Sequence, residues 1–92
     1  MKIKVANMKR LKNGSYIFSI VVDDILFINY FRLVPKFSGD YFLSLPQRKD
    51  GLKFVNTVLV TKELRDEIFK ASLIELEKYK NIKKTSIEIE SF

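Results

Sequence analysis

Two adjacent cations, Arg48 and Lys49, stand in the stretch FLSLPQRKDG (42–51), after an apolar run that stops at Pro46 and before an Asp50-Gly51 turn signal. A guanidinium and an ammonium held at a strand end, with the proline restricting the approach, can bridge phosphate groups. Lys53 extends the group beyond Asp50, and a second cluster, Lys2, Lys4, Lys9, Arg10 and Lys12, contains no acid. The formal net charge of +6 is localised. Residues 1–61 hold ten basic and four acidic side chains, residues 62–80 hold five of each, and Lys83 and Lys84 balance Glu88 and Glu90. Clustered cations suit a polyanionic partner, with plain solubility as the rival explanation.

Other chemistries find little support. The chain has neither cysteine nor histidine, which removes disulfides, thiol catalysis, the usual zinc ligands and imidazole acid/base work. Acid/base catalysis would fall to carboxylates, yet Asp23-Asp24 reads better as a turn, and no Gly-rich phosphate loop is present. The expectation is a binding protein rather than an enzyme, with no metal, cofactor or small-molecule substrate. No stretch of the N-terminal MKIKVANMKRLK resembles a signal-peptide core, and no apolar run reaches membrane-spanning length. A cytoplasmic protein without a membrane partner is therefore expected.

The elements that must position these cations read as strands followed by one helix. A first strand runs from Ile3 to about Leu11, and Asn13-Gly14 supplies a tight two-residue hairpin. Strands follow at 16–22 and from Ile25 to about Val34, joined by the Asp23-Asp24 turn and closed by Pro35, which has no N–H for the ladder. A fourth strand is predicted at 41–45 and a fifth from Lys53 to about Val60. Thr61 can cap the helix, with Glu63 favourably placed in its first turn. Leu64, Ile68, Leu76 and Tyr79 form one face, which Phe69 and Leu73 widen, and Asn81 is a plausible stop. The predicted fold is α+β: a small antiparallel sheet of about five strands and a C-terminal amphipathic helix, in one domain over 1–80. Residues 81–92 form a tail, either disordered or a short edge strand carried by Ile87, Ile89 and Phe92.

Packing adds a partner. Apolar residues occupy both parities of the long strand, with Phe27, Phe31 and Leu33 on one side and Leu26, Ile28, Tyr30 and Val34 on the other. One helix shields one face of a sheet. A chain of 92 residues has a modest core and commonly leans on a second chain. A homodimer through the sheet is expected, with Ile28, Tyr30 and Phe31 at its interface.

FLSLPQRK, preceded by a Gly-containing loop and the strand ending FRLV, resembles the stage V sporulation protein G (SpoVG) family of bacterial regulators associated with septation and sporulation. That family follows an aromatic-apolar-small-apolar strand with Pro, a polar residue and two basic residues, matching Phe42, Leu43, Ser44, Leu45, Pro46, Gln47, Arg48 and Lys49. VANMKR is similar to the family's opening Val-x-Asp-Val-Arg, with Asn7 and Lys9 substituted, and ELRDEI matches family positions at Arg65 and Ile68. The chain departs from the family after Phe54, where VNTVLVT replaces an acidic residue and His-Pro. It also lacks the long strand's histidine near Ile28-Asn29. The resemblance, over about residues 3–79, implies a dimer that binds DNA, and in some members RNA, to regulate gene expression. Arg48, Lys49, Lys53, Lys9, Arg10 and Arg65 are then the candidate nucleic-acid contacts.

Each site has a plainer reading. Arg48 and Lys49 can keep a hairpin soluble and its edge unpaired. Lys2 and Lys4 alternate with Ile3 and Val5 as a solvated strand face would, and Arg65 can lie along an interface and pair with a carboxylate. Nine of twelve aromatics lie between Tyr16 and Phe54, where base stacking on the sheet competes with core packing. A small closed barrel capped by the helix rivals the open sheet. A protein-interaction module is the second functional reading.

Overall fold

The computed structural model describes the backbone of residues 1–90 and the side chains of residues 1–82. Alternating apolar stretches form β1 (Ile3–Arg10), β2 (Tyr16–Val22), β3 (Leu26–Pro35) and β4 (Tyr41–Ser44), an antiparallel meander in the order β1-β2-β3-β4. A separate antiparallel pair follows, β5 (Gln47–Asp50) and β6 (Lys53–Asn56), and then helix α1 (Lys62–Glu90). The architecture is α+β: antiparallel sheets of four and two strands followed by one C-terminal helix. The meander stays open, with β1 and β4 at its edges, so the closed barrel is not formed.

Local chemistry explains most of the boundaries. Asn13-Gly14 turns the chain through three residues rather than two. The Asn13 side chain accepts the Ser15 N–H at 3.0 Å, and only Gly14, at φ 88°, is left-handed. Asp23 and Asp24 both take positive φ, 51° and 59°, which a mirror-image type I turn requires, and Ile25 N–H closes it on the Val22 carbonyl at 3.1 Å. Thr61 caps α1 as expected: its Oγ1 accepts the Leu64 N–H at 3.2 Å. The helix then passes through Asn81, where a stop was expected. Asparagine costs a helix little and no glycine or proline follows it, so nothing local ends the helix there. Helix also replaces the edge strand inferred from Ile87 and Ile89, while Phe92 lies outside the described residues.

One face of the meander meets α1. Tyr16, Phe18, Ile20, Phe31, Leu33, Leu43 and Leu45 are buried with Ile68 and Leu76, and Ile3, Val5, Met8, Ile28, Leu64, Phe69, Leu73 and Tyr79 pack around them. Phe18 and Phe31 stack with ring centroids 5.8 Å apart. Tyr16 lies edge-on to both Tyr41 and Tyr79.

Two β-bulges overturn the simple parity read from the sequence. Asn7 in β1 (φ 57°) and Tyr30 in β3 (φ 72°) are left-handed, and both ladders shift register beside them. An extra residue inverts every side chain beyond it. Ile28 therefore pairs with fully buried Ile20 on the same face as Phe31, while Phe27 turns to the opposite face and is 70% exposed. Phe31 has no accessible surface in a single chain. Phe31 thus belongs to the intrachain core, contrary to the expectation of a dimer interface, while Ile28 packs half-buried against that core and Tyr30 is exposed.

Candidate nucleic-acid interface

The opening cations lie on a ribbon rather than in a turn. Asp50-Gly51 does reverse the chain, with Gly51 at φ 65° as the first of two loop residues, but it does so within a hairpin whose first strand is Gln47–Asp50. Pairing runs Gln47↔Asn56, Arg48↔Val55, Lys49↔Phe54 and Asp50↔Lys53. Directly paired residues share a face, and successive residues alternate. Arg48 and Lys53 therefore lie on one face with Asp50 and Val55, and Lys49 lies on the other with Phe54. The Asp-Gly signal followed by Lys53-Phe54 was itself evidence for a paired strand at 47–50. The predicted long fifth strand is correspondingly short, ending at Asn56.

This ribbon is solvated along nearly its whole length, and only Val55 is half-buried. Its base is latched: Thr57 donates to the Pro46 carbonyl from both its N–H, at 2.8 Å, and its hydroxyl, at 3.2 Å. Gln47 and Asn56 add a side-chain hydrogen bond of 3.1 Å beside the latch. Pro46 is buried and starts the ribbon immediately after buried Leu45. The core thus fixes the root, and the cations project from a short, two-sided arm. Among the described residues no carboxylate pairs with Arg48, Lys49 or Lys53.

The other candidates separate into different places. Arg65 donates from its guanidinium to the Leu43 carbonyl at 3.1 Å, tying α1 to the β4 edge and occupying an acceptor that edge strands leave open. That contact makes Arg65 an anchor of the fold. Lys4 pairs with Asp24 at 3.1 Å and Lys2 approaches it at 4.0 Å, exposed pairs worth little energy. Lys9 and Arg10 are exposed on β1 and, among the described residues, free of carboxylates. They pair with Ile17 and Tyr16 and so lie on opposite faces. Because β1 and β4 are opposite edges of the meander, roughly 14 Å apart at strand spacing, the first-strand cluster and the root of the ribbon sit at different edges.

Among the described residues no element covers the meander's second face. Its register brings Lys4, Lys9 and Arg32 together with Phe27, Tyr30 and Phe42, and none of its strand positions carries a carboxylate. The two bulges flank Ser19, whose hydroxyl bonds the Asn29 side chain at 2.6 Å. A shallow pocket of about 160 Å³ opens there, lined by Asn7, Ile17, Phe18, Ser19, Asn29 and Tyr30. Sequence reading missed it because neither bulge breaks the apolar pattern visibly. Asn7 gave the better hint, as asparagine tolerates positive φ far more readily than tyrosine. Elsewhere among the described residues no group of acidic side chains is placed to hold a metal ion, and no helix is long and apolar enough to cross a membrane. No family model, curated protein or solved structure matches this chain, and the resemblance to the SpoVG family accordingly rests on the Pro-basic-basic stretch and the order of the elements.

Proposed function

We propose that this chain is a cytoplasmic, homodimeric nucleic-acid-binding regulator of gene expression of the SpoVG kind, with the β5–β6 ribbon as its principal phosphate-binding element. The observation that carries this reading is the ribbon: three unpaired cations on two faces of a projecting hairpin with a single acid, Asp50, among them. A two-stranded ribbon fits a duplex major groove about 12 Å wide. Seated there, Arg48 and Lys53 face one phosphate backbone and Lys49 the other. Such contacts supply affinity and orientation rather than sequence discrimination. The test is a titration with duplex DNA, single-stranded DNA and RNA at several salt concentrations. Tight, salt-sensitive binding to at least one of them is expected, and absence of binding to all three at low salt would overturn the proposal.

A second copy is supported by apolar surface that the single chain leaves open. Ile25, Leu26 and Phe27 are exposed in succession at the β2–β3 end of the meander, Ile25 at 87%. A two-fold partner would bury this tip. Sedimentation at micromolar concentration should give twice the chain mass, whereas a folded monomer throughout would remove the dimer from the proposal. The alternative, a protein-interaction module without nucleic acid, is favoured by one feature: Leu52 and Phe54 are exposed on the ribbon beside the cations, Leu52 at 99%. It becomes the leading reading if the titration is negative.

A further inference from the structure

We infer that the pocket between the two bulges, on the face of the meander away from α1, binds an unpaired nucleobase, making this face a site for single-stranded nucleic acid separate from the ribbon. The inference rests on the proposed nucleic-acid function for its ligand class, but on different residues. A tyrosine at φ 72° is strained, and such strain persists only where surrounding structure imposes it, commonly at ligand sites. Here it brings an exposed ring, 66% accessible, to the rim of a pocket whose other polar groups are the Asn7 and Asn29 amides and the Ser19 hydroxyl. Amides present donors and acceptors to the edge of a base, and a phenol ring offers a stacking surface that every base can use.

The neighbouring rows of the sheet extend the argument from a base to a strand. Lys9 and Arg32 both pair with Ile17, one from each side, which sets two cations in the row next to the pocket. Val34 pairs with Phe42, a half-exposed aromatic, in the row beyond. Rows on one face are about 7 Å apart. Aromatic, cation and aromatic thus follow one another across three rows whose strand positions carry no carboxylate, an order that suits bases alternating with phosphates. A duplex does not fit this pattern, because its bases are already stacked and paired.

The test compares wild-type protein with Tyr30→Asn, which removes the ring while tolerating the left-handed backbone, and with Tyr30→Phe, which keeps it. Each is titrated with a labelled single-stranded oligonucleotide and with the matching duplex, and melting and sedimentation confirm fold and assembly. Tyr30→Asn should weaken single-strand binding about five- to 150-fold, the loss of one stacked base, and leave duplex binding unchanged. Tyr30→Phe should bind as wild type. If Tyr30→Asn fails to fold, Arg32→Ala replaces it, with the same selective loss expected. Unchanged single-strand binding in a folded variant overturns the pocket and leaves the ribbon's function standing. A change in assembly without a change in binding assigns the face to a second copy and likewise overturns it. A nucleoside monophosphate titration, read on the side-chain amide signals of Asn7 and Asn29, separates the remaining cases. Shifts without any oligonucleotide binding support the pocket while the regulatory function falls, and silence in both assays removes both.

Discussion

Replacing Phe31 with alanine should cost about 3–5 kcal/mol of stability, the range for deleting a fully buried aromatic from a packed core. In a domain of this size that lowers the melting temperature by at least about 12 °C. The size follows from placement. Phe31 has no accessible surface, its ring stacks on Phe18 at 5.8 Å, and Ile20, Leu33 and Ile68 are equally enclosed in the same cluster. The concentration dependence is the sharper part of the expectation. A side chain buried between two copies would lose its contribution on dilution, because association stabilises by mass action. A side chain buried within one chain does not. The loss measured by urea or thermal unfolding should therefore be the same at low and high protein concentration. A cost under about 1 kcal/mol, or one that appears only under associating conditions, would return Phe31 to the interface.

The contrast between Phe31 and Tyr30 shows where sequence reading succeeds and where it stops. Elements with a local cause were legible: the Thr61 cap, the Asp23-Asp24 turn, the apolar face of α1 and the order of strands before helix. Each depends on residues within one turn of one another. The faces of β3 were not legible, because they depend on a register shift with no composition of its own. Leu26 to Val34 reads as unbroken strand, yet one left-handed residue exchanges inside for outside for everything before it. A dimer argument built on uniform alternation therefore assigned fully buried Phe31 to an interface and put it on the face opposite to Ile28, which in fact lies on the same face. The end of α1 was opaque for a related reason. Asn81 is only a permissive stop, and an alternating sequence such as TSIEIESF does not by itself exclude helix when the preceding turns already propagate one.

The same distinction governs the candidate site. Pro46 and the paired cations were visible at once, but their mutual orientation was not. Two adjacent basic residues in a turn can converge on one phosphate, whereas two adjacent residues in a strand diverge to opposite faces. The structure shows the second case. Arg48 and Lys49 therefore start from opposite faces of the ribbon, and a ligand that surrounds the ribbon is the one that would use both.

This geometry gives the double substitution Arg48→Ala/Lys49→Ala its expected result. With the ribbon in a groove, each cation meets a different phosphate backbone, so the two contacts are independent and their losses add. Each lost contact lowers the log-affinity against log-salt slope for duplex DNA by about 0.9, and the double variant lowers it by about two. Across a fourfold rise in salt, the wild-type advantage should shrink about twelvefold, the signature of counterions no longer released. Folding should hardly change, since both side chains are exposed and the Thr57–Pro46 latch that fixes the root is untouched. Arg65→Ala should behave in the opposite way, costing about 1 kcal/mol of stability for its bond to the Leu43 carbonyl while leaving the salt slope as it was. The single variants carry the geometric decision. Equal slope changes for Arg48→Ala and Lys49→Ala place backbones on both sides of the ribbon. A change for Arg48→Ala alone places the nucleic acid against the Arg48–Lys53 face, leaving Lys49 and Phe54 to another partner. A double variant that binds duplex with wild-type affinity and slope makes the ribbon a solvated hairpin, and phosphate binding by these cations is then abandoned.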